Sequence, residues 1–180
     1  MKLMIASDIH GSAYYLKQLL HAFKKEAPNK LLLLGDILYH GPRNDLPGEY
    51  NPKEVAPMLN EIKNSLLCVR GNCDTEVDQM MLEFPVLADY CQIFFEGKSI
   101  LATHGHHYCD TNLPPMEEGD ILLCGHTHVP AMKNVEGIIY INPGSVSIPK
   151  ENSHHGYMIF ENNKAIWKDL DGNIIRTEEI

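Results

Sequence analysis

Seven side chains able to bind a metal ion occur in five short motifs of this 180-residue chain. Each motif directly follows a run of hydrophobic residues. In order, the motifs are Asp8-Ile9-His10, Gly35-Asp36, Gly71-Asn72, Thr103-His104-Gly105 and Gly125-His126-Thr127-His128. Carboxylate, amide oxygen and imidazole are the donors that a hard or borderline divalent ion prefers. Seven donors are too many for one ion, but they suit two ions that share a bridging carboxylate.

Taken singly, most of these motifs are weak signals. An Asp that follows a strand, such as Asp36, is commonly a turn former or a helix cap. His126 and His128 are stronger, because two histidines between a buried strand and Pro130 are not needed for packing. The prediction rests on the conjunction: every motif lies at the same end of a predicted strand, where a sheet would gather all five in one crevice.

The hydrophobic pattern predicts the elements that would position these motifs. In the first half, buried strands at Lys2–Ser7, Lys30–Leu34 and Leu66–Val69 alternate with helices that begin near Ser12 and Asn51. The second half predicts mainly strands, at Gln92–Phe95, Ser99–Thr103, Ile121–Cys124, Ala131–Val135, Ile138–Ile141, Tyr157–Phe160, Ala165–Leu170 and Ile174–Thr177. We therefore expect one domain over residues 1–180, with two packed sheets and helices outside them.

Composition excludes several classes of partner. The net charge of −9 argues against a nucleic-acid platform, which needs a basic face. It does not exclude a phosphate-bearing substrate, because bound metal ions reverse the local sign of charge. The five cysteines show no Cys-x-x-Cys spacing and are typical of reduced thiols in a cytoplasmic protein. No apolar run approaches the roughly 20 residues that span a bilayer, so no membrane association is expected.

The ordered motifs, with Cys73-Asp74 after Asn72, resemble those of the calcineurin-like metallophosphoesterases from about residue 3 to residue 150. A subgroup of small bacterial phosphodiesterases is similar in three segments: His40-Gly41-Pro42-Arg43-Asn44, Gly71-Asn72-Cys73-Asp74 and Asn142-Pro143-Gly144-Ser145-Val146-Ser147-Ile148-Pro149-Lys150. The resemblance implies an α/β fold, a four-layer α/β/β/α sandwich of two mixed sheets flanked by helices. It also implies a dinuclear metal centre.

The resemblance divides the donors between two ions and a bridge. Asp8, His10 and His128 would bind the first ion, Asn72, His104 and His126 the second, and Asp36 both. Ligation by nitrogen and oxygen alone favours Mn²⁺, with Fe, Zn²⁺ or Ni²⁺ as alternatives. Asp36, Asn72 and His104 are also expected to serve catalysis, in which a hydroxide bridging the ions attacks phosphorus.

Two further residues are predicted to meet the substrate. Arg43 would bind a phosphate oxygen through its guanidinium group, although a solvated loop arginine is an equal alternative. Cys73 stands where many family members carry a histidine thought to help protonate the leaving group. Because a thiol is a poor hydrogen-bond donor, we expect weaker assistance and a preference for acidic leaving groups. Alternatively, Cys73 only fills space beside the second ion.

The expected function is hydrolysis of phosphodiester bonds in a small soluble substrate. One alternative is a phosphomonoesterase with the same centre. The other is a non-catalytic protein-interaction scaffold, since a retromer subunit shares this fold. A homodimer or homotetramer is expected, because soluble enzymes are commonly symmetric.

Overall fold

Eleven strands and three α-helices make up the regular structure of the computed structural model, which describes residues 1–180. The helices are α1 (Ala13–Glu26), α2 (Pro52–Asn60) and α3 (Glu76–Met81). The strands are β1 (Leu3–Ala6), β2 (Lys30–Leu33), β3 (Leu66–Cys68), β4 (Tyr90–Phe95), β5 (Lys98–Thr103), β6 (Ile121–Leu123), β7 (Ala131–Val135), β8 (Ile138–Asn142), β9 (Gly156–Glu161), β10 (Lys164–Asp169) and β11 (Ile174–Glu179). Each predicted strand and helix is present, with ends shifted by a few residues.

The strands form two mixed sheets. The six-stranded sheet has the order β11-β10-β9-β1-β2-β3. Strands β1, β2 and β3 are parallel to one another, whereas β9, β10 and β11 each pair antiparallel with their neighbours. The five-stranded sheet has the order β4-β5-β6-β8-β7, with β5, β6 and β8 parallel and an antiparallel strand at each margin. Each sheet therefore contains three neighbouring parallel strands that end on one side: they form one half of the six-stranded sheet and the centre of the five-stranded sheet.

Alternate residues of the central strands face two different layers of core. In β1, Met4 and Ala6 pack in the cluster beneath the helices, whereas Leu3 and Ile5 pack in the cluster between the two sheets. A strand buried on both faces needs apolar residues at every position rather than at every second one. This two-sided burial explains the continuous hydrophobic runs from which the strands are predicted.

Helices α1 and α2 pack on the outer face of the six-stranded sheet, whereas the short helix α3 contributes no buried residue. Helix α1 begins at Ser12, whose hydroxyl oxygen accepts a hydrogen bond from the backbone N–H of Tyr15 at 3.3 Å. Its Leu16 and Leu19 are fully buried, as the spacing predicts. None of the helices has the length and the apolar composition that crossing a membrane requires.

The predicted α/β sandwich of two mixed sheets is confirmed. One detail differs: helices were expected on the outer faces of both sheets, but none covers the five-stranded sheet. The outer face of the five-stranded sheet is covered by the connection between β5 and β6, with Leu113 and Met116 packed on Cys124 and Tyr140. This connection forms no helix. Consecutive prolines, Pro114 and Pro115, disfavour one because they lack backbone N–H donors and clash with the preceding turn.

A buried cluster of charges joins the end of α1 to the six-stranded sheet. The carboxylate of Glu26 accepts hydrogen bonds from the ammonium groups of Lys168 and Lys2, the latter at 2.5 Å, and from the hydroxyl of Tyr157 at 3.1 Å. Burial alone would raise the pKa of Glu26, but its two lysine partners lower the pKa from the ordinary 4.5 to about 2. The ionised carboxylate is therefore stabilised in the folded state.

We predict that Glu26→Gln lowers the unfolding free energy by about 1–3 kcal/mol at pH 6, because it leaves two partly buried ammonium groups without their countercharge. The folded-state pKa of Glu26 lies below its ordinary value, so its contribution is fully present above about pH 4.5 and lost as the pH falls towards 2. Urea titrations of both proteins between pH 6 and pH 3.5 measure this: the difference should shrink with falling pH.

The matched control is Glu54→Gln, which removes the partner of Lys17 in an exposed ion pair of 2.8 Å. Exposed pairs contribute little, so this variant should resemble the wild type throughout. A Glu26 variant that was equally neutral would contradict the account.

Candidate metal centre

All seven predicted ligands lie together at the edge where the parallel strands of both sheets end. Asp8 and His10 follow β1, and Asp36 and Asn72 follow β2 and β3 of the same sheet. In the other sheet, His104 follows β5, and His126 and His128 follow β6. The side chains of Asp8, His10, Asp36, His104 and His128 are almost wholly buried, whereas that of His126 is half-buried and Asn72 is exposed. The two sheets thus contribute donors to a single site.

A first group of donors surrounds Asp8. Its Oδ1 atom lies 3.3 Å from the Nε2 atom of His128 and 3.6 Å from the Nε2 atom of His10. The two Nε2 atoms are themselves 3.3 Å apart. Metal–ligand bonds of about 2.0–2.2 Å place neighbouring donors about 3.0–3.5 Å from each other. The spacing of this group is therefore that of ligands around one ion.

A second group surrounds His104. Its Nε2 atom lies 3.1 Å from the Oδ1 atom of Asn72 and 3.2 Å from the Nδ1 atom of His126. The carboxylate of Asp36 stands between the two groups, with Oδ2 3.5 Å from the Nε2 atom of His104 and 3.7 Å from the Nε2 atom of His10. One oxygen atom can therefore contribute to both groups, as a bridging ligand must.

Backbone carbonyl groups determine which nitrogen of three histidines faces the centre. The Nδ1 atoms of His10, His104 and His128 donate to the carbonyl oxygens of Tyr39, Leu34 and Ile148 at 2.8, 2.6 and 2.6 Å. A carbonyl oxygen only accepts, so each Nδ1 carries the proton and each Nε2 presents a lone pair. Such bonds are the usual support of metal-binding histidines.

The lone pairs converge on one another, and this arrangement calls for a cation. The Nε2 atoms of His10 and His128 face each other at 3.3 Å, where two lone pairs repel. The Oδ1 atom of Asp8 is buried without any hydrogen-bond partner, a costly state for a carboxylate. A metal ion among these atoms would satisfy all three at once, so the donor set fits a bound divalent ion.

The electrostatics of the site also favour positive charge. Burial alone lowers the pKa of His104, but the carboxylates of Asp36 and Asp8 raise it from 6.5 to about 9. Burial alone would raise the pKa of Asp8, but attraction to His10 and His128 in their protonated forms outweighs this and holds the pKa well below its usual range. Protons and metal ions therefore compete for the same cluster.

Five of the seven predicted ligands have a left-handed backbone. The φ angles of Asp8, His10, Asp36, His126 and His128 lie between 49° and 65°. Non-glycine residues rarely adopt this region, and each such residue costs roughly 1–3 kcal/mol unless its surroundings enforce it. Strain of this kind concentrates at functional sites. Here it turns each side chain back over the strand end and into the cluster.

The glycines of the motifs allow the strand ends to approach each other. A Cβ atom at Gly71 would overlap the carboxylate and backbone of Asp36, and one at Gly125 would overlap the side chains of Ser7 and Asp8. Gly71 and Gly125 each precede a predicted ligand. Their lack of a side chain therefore lets the ligands of neighbouring strands meet.

Two supporting interactions of the site had only weak signals in the sequence. The buried carboxylate of Asp74 accepts hydrogen bonds from the backbone N–H groups of Asp36, Ile37 and Gly71 at 2.8, 2.9 and 2.7 Å. The carbonyl oxygen of Asp8 accepts from the hydroxyls of Ser145 and Ser147, both at 2.9 Å. These contacts hold the turns that carry Asp36 and Asp8.

An open cleft of about 400 Å³ gives access to the donors. Arg43, expected at the substrate, lines it together with Cys73. Asn44 and Lys150 line it as well. Both lie in segments that resemble the bacterial phosphodiesterases, but neither was predicted as a site residue. Two cationic side chains beside a metal cluster suit an anionic substrate.

The side chain of Cys73 lies next to the donor atoms. Its sulfur is within 4.8 Å of donor atoms of His10 and Asp36. Burial, reinforced by the negative charge of Asp36, raises the pKa of the Cys73 thiol to about 12. In the absence of metal ions, such a thiol is a weaker acid than an ordinary cysteine.

Comparisons with known proteins agree with this geometry. A family model described as the calcineurin-like phosphoesterase superfamily domain matches residues 1–165. The chain is 46% identical to phosphodiesterase YfcE of Escherichia coli over 163 residues, which cover 91% of this chain and 89% of the relative. It is similar to a solved structure of YfcE, described as a phosphoesterase from E. coli, with a TM-score of 0.96, 44% identity and full coverage of both chains.

A more distant structure shares the fold alone. Vps29 from Entamoeba histolytica, solved in complex with Zn²⁺, matches with a TM-score of 0.63 and 21% identity over 100% of this chain and 98% of that one. The fold therefore occurs in proteins whose sequences have diverged widely from this chain.

We predict that Mn²⁺ stabilises the wild-type protein against heat. At a concentration about 100 times its dissociation constant, a ligand of the folded state adds about 2.7 kcal/mol, or roughly 5–10 °C in Tm for a chain of this size. Metal binding requires neutral imidazole, and the pKa of His104 without metal is about 9. The increase in Tm should therefore be larger at pH 8 than at pH 6, as scanning calorimetry can measure.

Arg43→Ala is the matched control, since it removes a cleft residue that contributes no donor and should keep the full shift. An absence of any Mn²⁺ effect on the wild-type Tm, at either pH, would be incompatible with the donor geometry.

Proposed function

The chain belongs to the calcineurin-like phosphoesterase superfamily, and we propose that it hydrolyses phosphodiester bonds in a small soluble substrate at a two-ion centre. The observation that carries this proposal is the convergence of unpaired donors: the facing Nε2 atoms of His10 and His128, and the partnerless Oδ1 atom of Asp8. We assign Asp8, His10 and His128 to the first ion, Asn72, His104 and His126 to the second, and Asp36 to both.

When bound, the two ions would lower the pKa of a water molecule between them and neutralise charge on the phosphoryl oxygens. The chain's own residues prepare this chemistry. Asp36 spans the two donor groups, and its Oδ1 atom is oriented by the backbone N–H of Cys73 at 2.8 Å. Asn72 extends the donor set towards the open cleft, and His104 is held in its reactive tautomer by the carbonyl oxygen of Leu34. These three residues are assigned to catalysis.

Arg43 and Lys150 would bind the substrate phosphate from the cleft wall. Both line the cleft that opens on Asp36, Asn72 and His126. The guanidinium group of Arg43 can donate two hydrogen bonds to one phosphate group, whereas the ammonium group of Lys150 acts as a point charge. Their position orients a phosphate against the donors and supports an anionic substrate.

No protein nucleophile is required. The Ser7 hydroxyl is buried and has no hydrogen-bond partner that could act as its base. The Cys73 thiol lines the site, and in the absence of metal ions burial raises its pKa to about 12. Without a strong acid for the leaving group, the centre favours esters whose alcohols are acidic, as expected from the sequence.

The scaffold alternative is disfavoured by the complete donor set. A Vps29 structure contains Zn²⁺, so metal binding alone does not separate an enzyme from a scaffold of this fold. Turnover does separate them. The same assay distinguishes a phosphodiesterase from a phosphomonoesterase when aryl diesters and aryl monoesters are compared side by side.

We further propose Mn²⁺ as the native ion, with Fe, Zn²⁺ and Ni²⁺ as alternatives, since all seven donors are nitrogen or oxygen. The chain is proposed to form one domain over residues 1–180 and to assemble as a homodimer or homotetramer. All five cysteines are free, which supports a cytoplasmic location.

We predict that Asp36→Asn and Asp8→Asn differ in the number of ions they release. Asp36 lies between both donor groups, so its variant should weaken both ions and reduce diester kcat/KM by more than about 100-fold. Asp8 belongs to one group, so its variant should lose chiefly one ion. Elemental analysis after dialysis against Mn²⁺ counts the bound metal. The control is Asp171→Asn at an exposed position.

If both variants lost only one ion per chain, Asp36 would not be a ligand shared by the two ions. Retention of both ions and full activity in each would overturn the assignment of the centre itself.

We predict that Arg43→Ala raises KM for a diester about 10-fold, because a charge-assisted hydrogen bond contributes roughly 1.5–3 kcal/mol. Steady-state kinetics with Mn²⁺ measures this change. Arg176→Ala is the matched control, since Arg176 is paired with Glu178 on the edge strand β11. Unchanged KM and kcat in the Arg43 variant would mean that this side chain is an ordinary solvated loop residue.

A further inference from the structure

A second cavity adjoins the metal cleft. This apolar groove has a volume of about 420 Å³ and lies between α3 and the segment that precedes α2. Leu38, Tyr39, Tyr50, Val77 and Met81 give it a mainly hydrophobic and aromatic lining. Its size falls within the range of about 300–1,000 Å³ that is typical of small-molecule sites.

The groove and the metal cleft share one lining residue. Cys73 lines both cavities, and its sulfur is within 4.8 Å of donor atoms of His10 and Asp36. A substrate whose phosphate lies on the donors could therefore extend one of its ester groups past Cys73 into the apolar groove. A monoester has one ester group and a diester has two, so a substrate of either class could place an ester group in the apolar groove.

The groove leaves apolar side chains in contact with water. Val77 is 66% exposed and Met81 is 49% exposed, although both stand beside a hydrolytic cleft. The polar residues at this end of α3 are already engaged, since Asp78 accepts hydrogen bonds from the N–H and hydroxyl of Thr75. Lys53, by contrast, forms no ion pair in the structure and remains available to an electron-rich ligand.

We propose that this apolar groove binds an aromatic ester group of the substrate. A flat ring would contact Tyr39 and Tyr50 and cover the exposed parts of Val77 and Met81, and its polar substituents would face Lys53. This inference rests on the proposed function and makes it more specific. An aromatic alcohol is also an acidic leaving group, the kind that the sequence analysis predicts for this site.

The test compares phenylphosphonate with methylphosphonate, two ligands that present the same phosphonate group to the Mn²⁺-loaded protein. Calorimetry measures both dissociation constants without relying on turnover. The wild type should bind phenylphosphonate more tightly. Val77→Ser/Met81→Ser removes apolar contact and should raise the dissociation constant of phenylphosphonate about fivefold, while that of methylphosphonate changes little.

Met80→Ser is the matched control. Met80 lies on the same helix and is 83% exposed, but it does not line the apolar groove, so neither constant should change. The molecular mass in solution is measured for each variant as well. A changed mass in Val77→Ser/Met81→Ser would identify the groove as a subunit contact and overturn the proposal.

The two proposals can fail separately. In one outcome, the protein hydrolyses a diester, but the ratio of the phenylphosphonate and methylphosphonate dissociation constants is the same in Val77→Ser/Met81→Ser as in the wild type. This outcome would overturn the aromatic site and leave the proposed function intact. A changed ratio without hydrolysis of any diester would support the site and overturn the proposed function. Failure of phenylphosphonate to bind the wild type would overturn the aromatic site, and an additional absence of diester hydrolysis would overturn both.

Discussion

The centre depends on three hydrogen bonds from histidine Nδ1 atoms to backbone carbonyl oxygens. The carbonyls of Leu34, Tyr39 and Ile148 determine the tautomers of His104, His10 and His128, so that all three Nε2 lone pairs face inward. Each carbonyl comes from a chain segment remote from its histidine. Folding therefore brings lone pairs and carboxylate oxygens close together, and their mutual repulsion is offset by bound cations. The site favours cations whether or not a substrate is present.

Maintaining this arrangement requires local conformations that an ordinary sheet edge would avoid. Left-handed backbones at five of the predicted ligands are unfavourable locally, but they turn the side chains towards a common point. Motif glycines such as Gly71 permit the close approach of neighbouring strand ends, and the buried Asp74 ties two of those ends together. The two sandwiched sheets supply the rigid frame that offsets this strain. The same frame leaves the cleft and the apolar groove open, because both are bordered by loops and short helices.

Much of the site could be predicted from the sequence, for a clear physical reason. Hydrophobic runs identify the strands, and parallel strands bring the residues that follow them to one edge, so Asp8, Asp36 and His104 were expected to meet. Lys150 and the apolar groove could not be anticipated, since they depend on how separate loops lie against each other. The covering of the five-stranded sheet by the Pro114–Pro115 segment likewise depends on a loop path. The raised pKa of the Cys73 thiol in the absence of metal ions could not be anticipated either, because it follows from burial beside Asp36, a tertiary property.

Anomalous diffraction from crystals grown with Mn²⁺ tests the central claim most directly, because it locates each ion independently of the protein atoms. The account predicts two peaks about 3.5–4 Å apart, one among Asp8, His10 and His128 and the other beside His104, with a carboxylate oxygen of Asp36 bound to both. A single peak, or two peaks without a shared Asp36 oxygen, would contradict it.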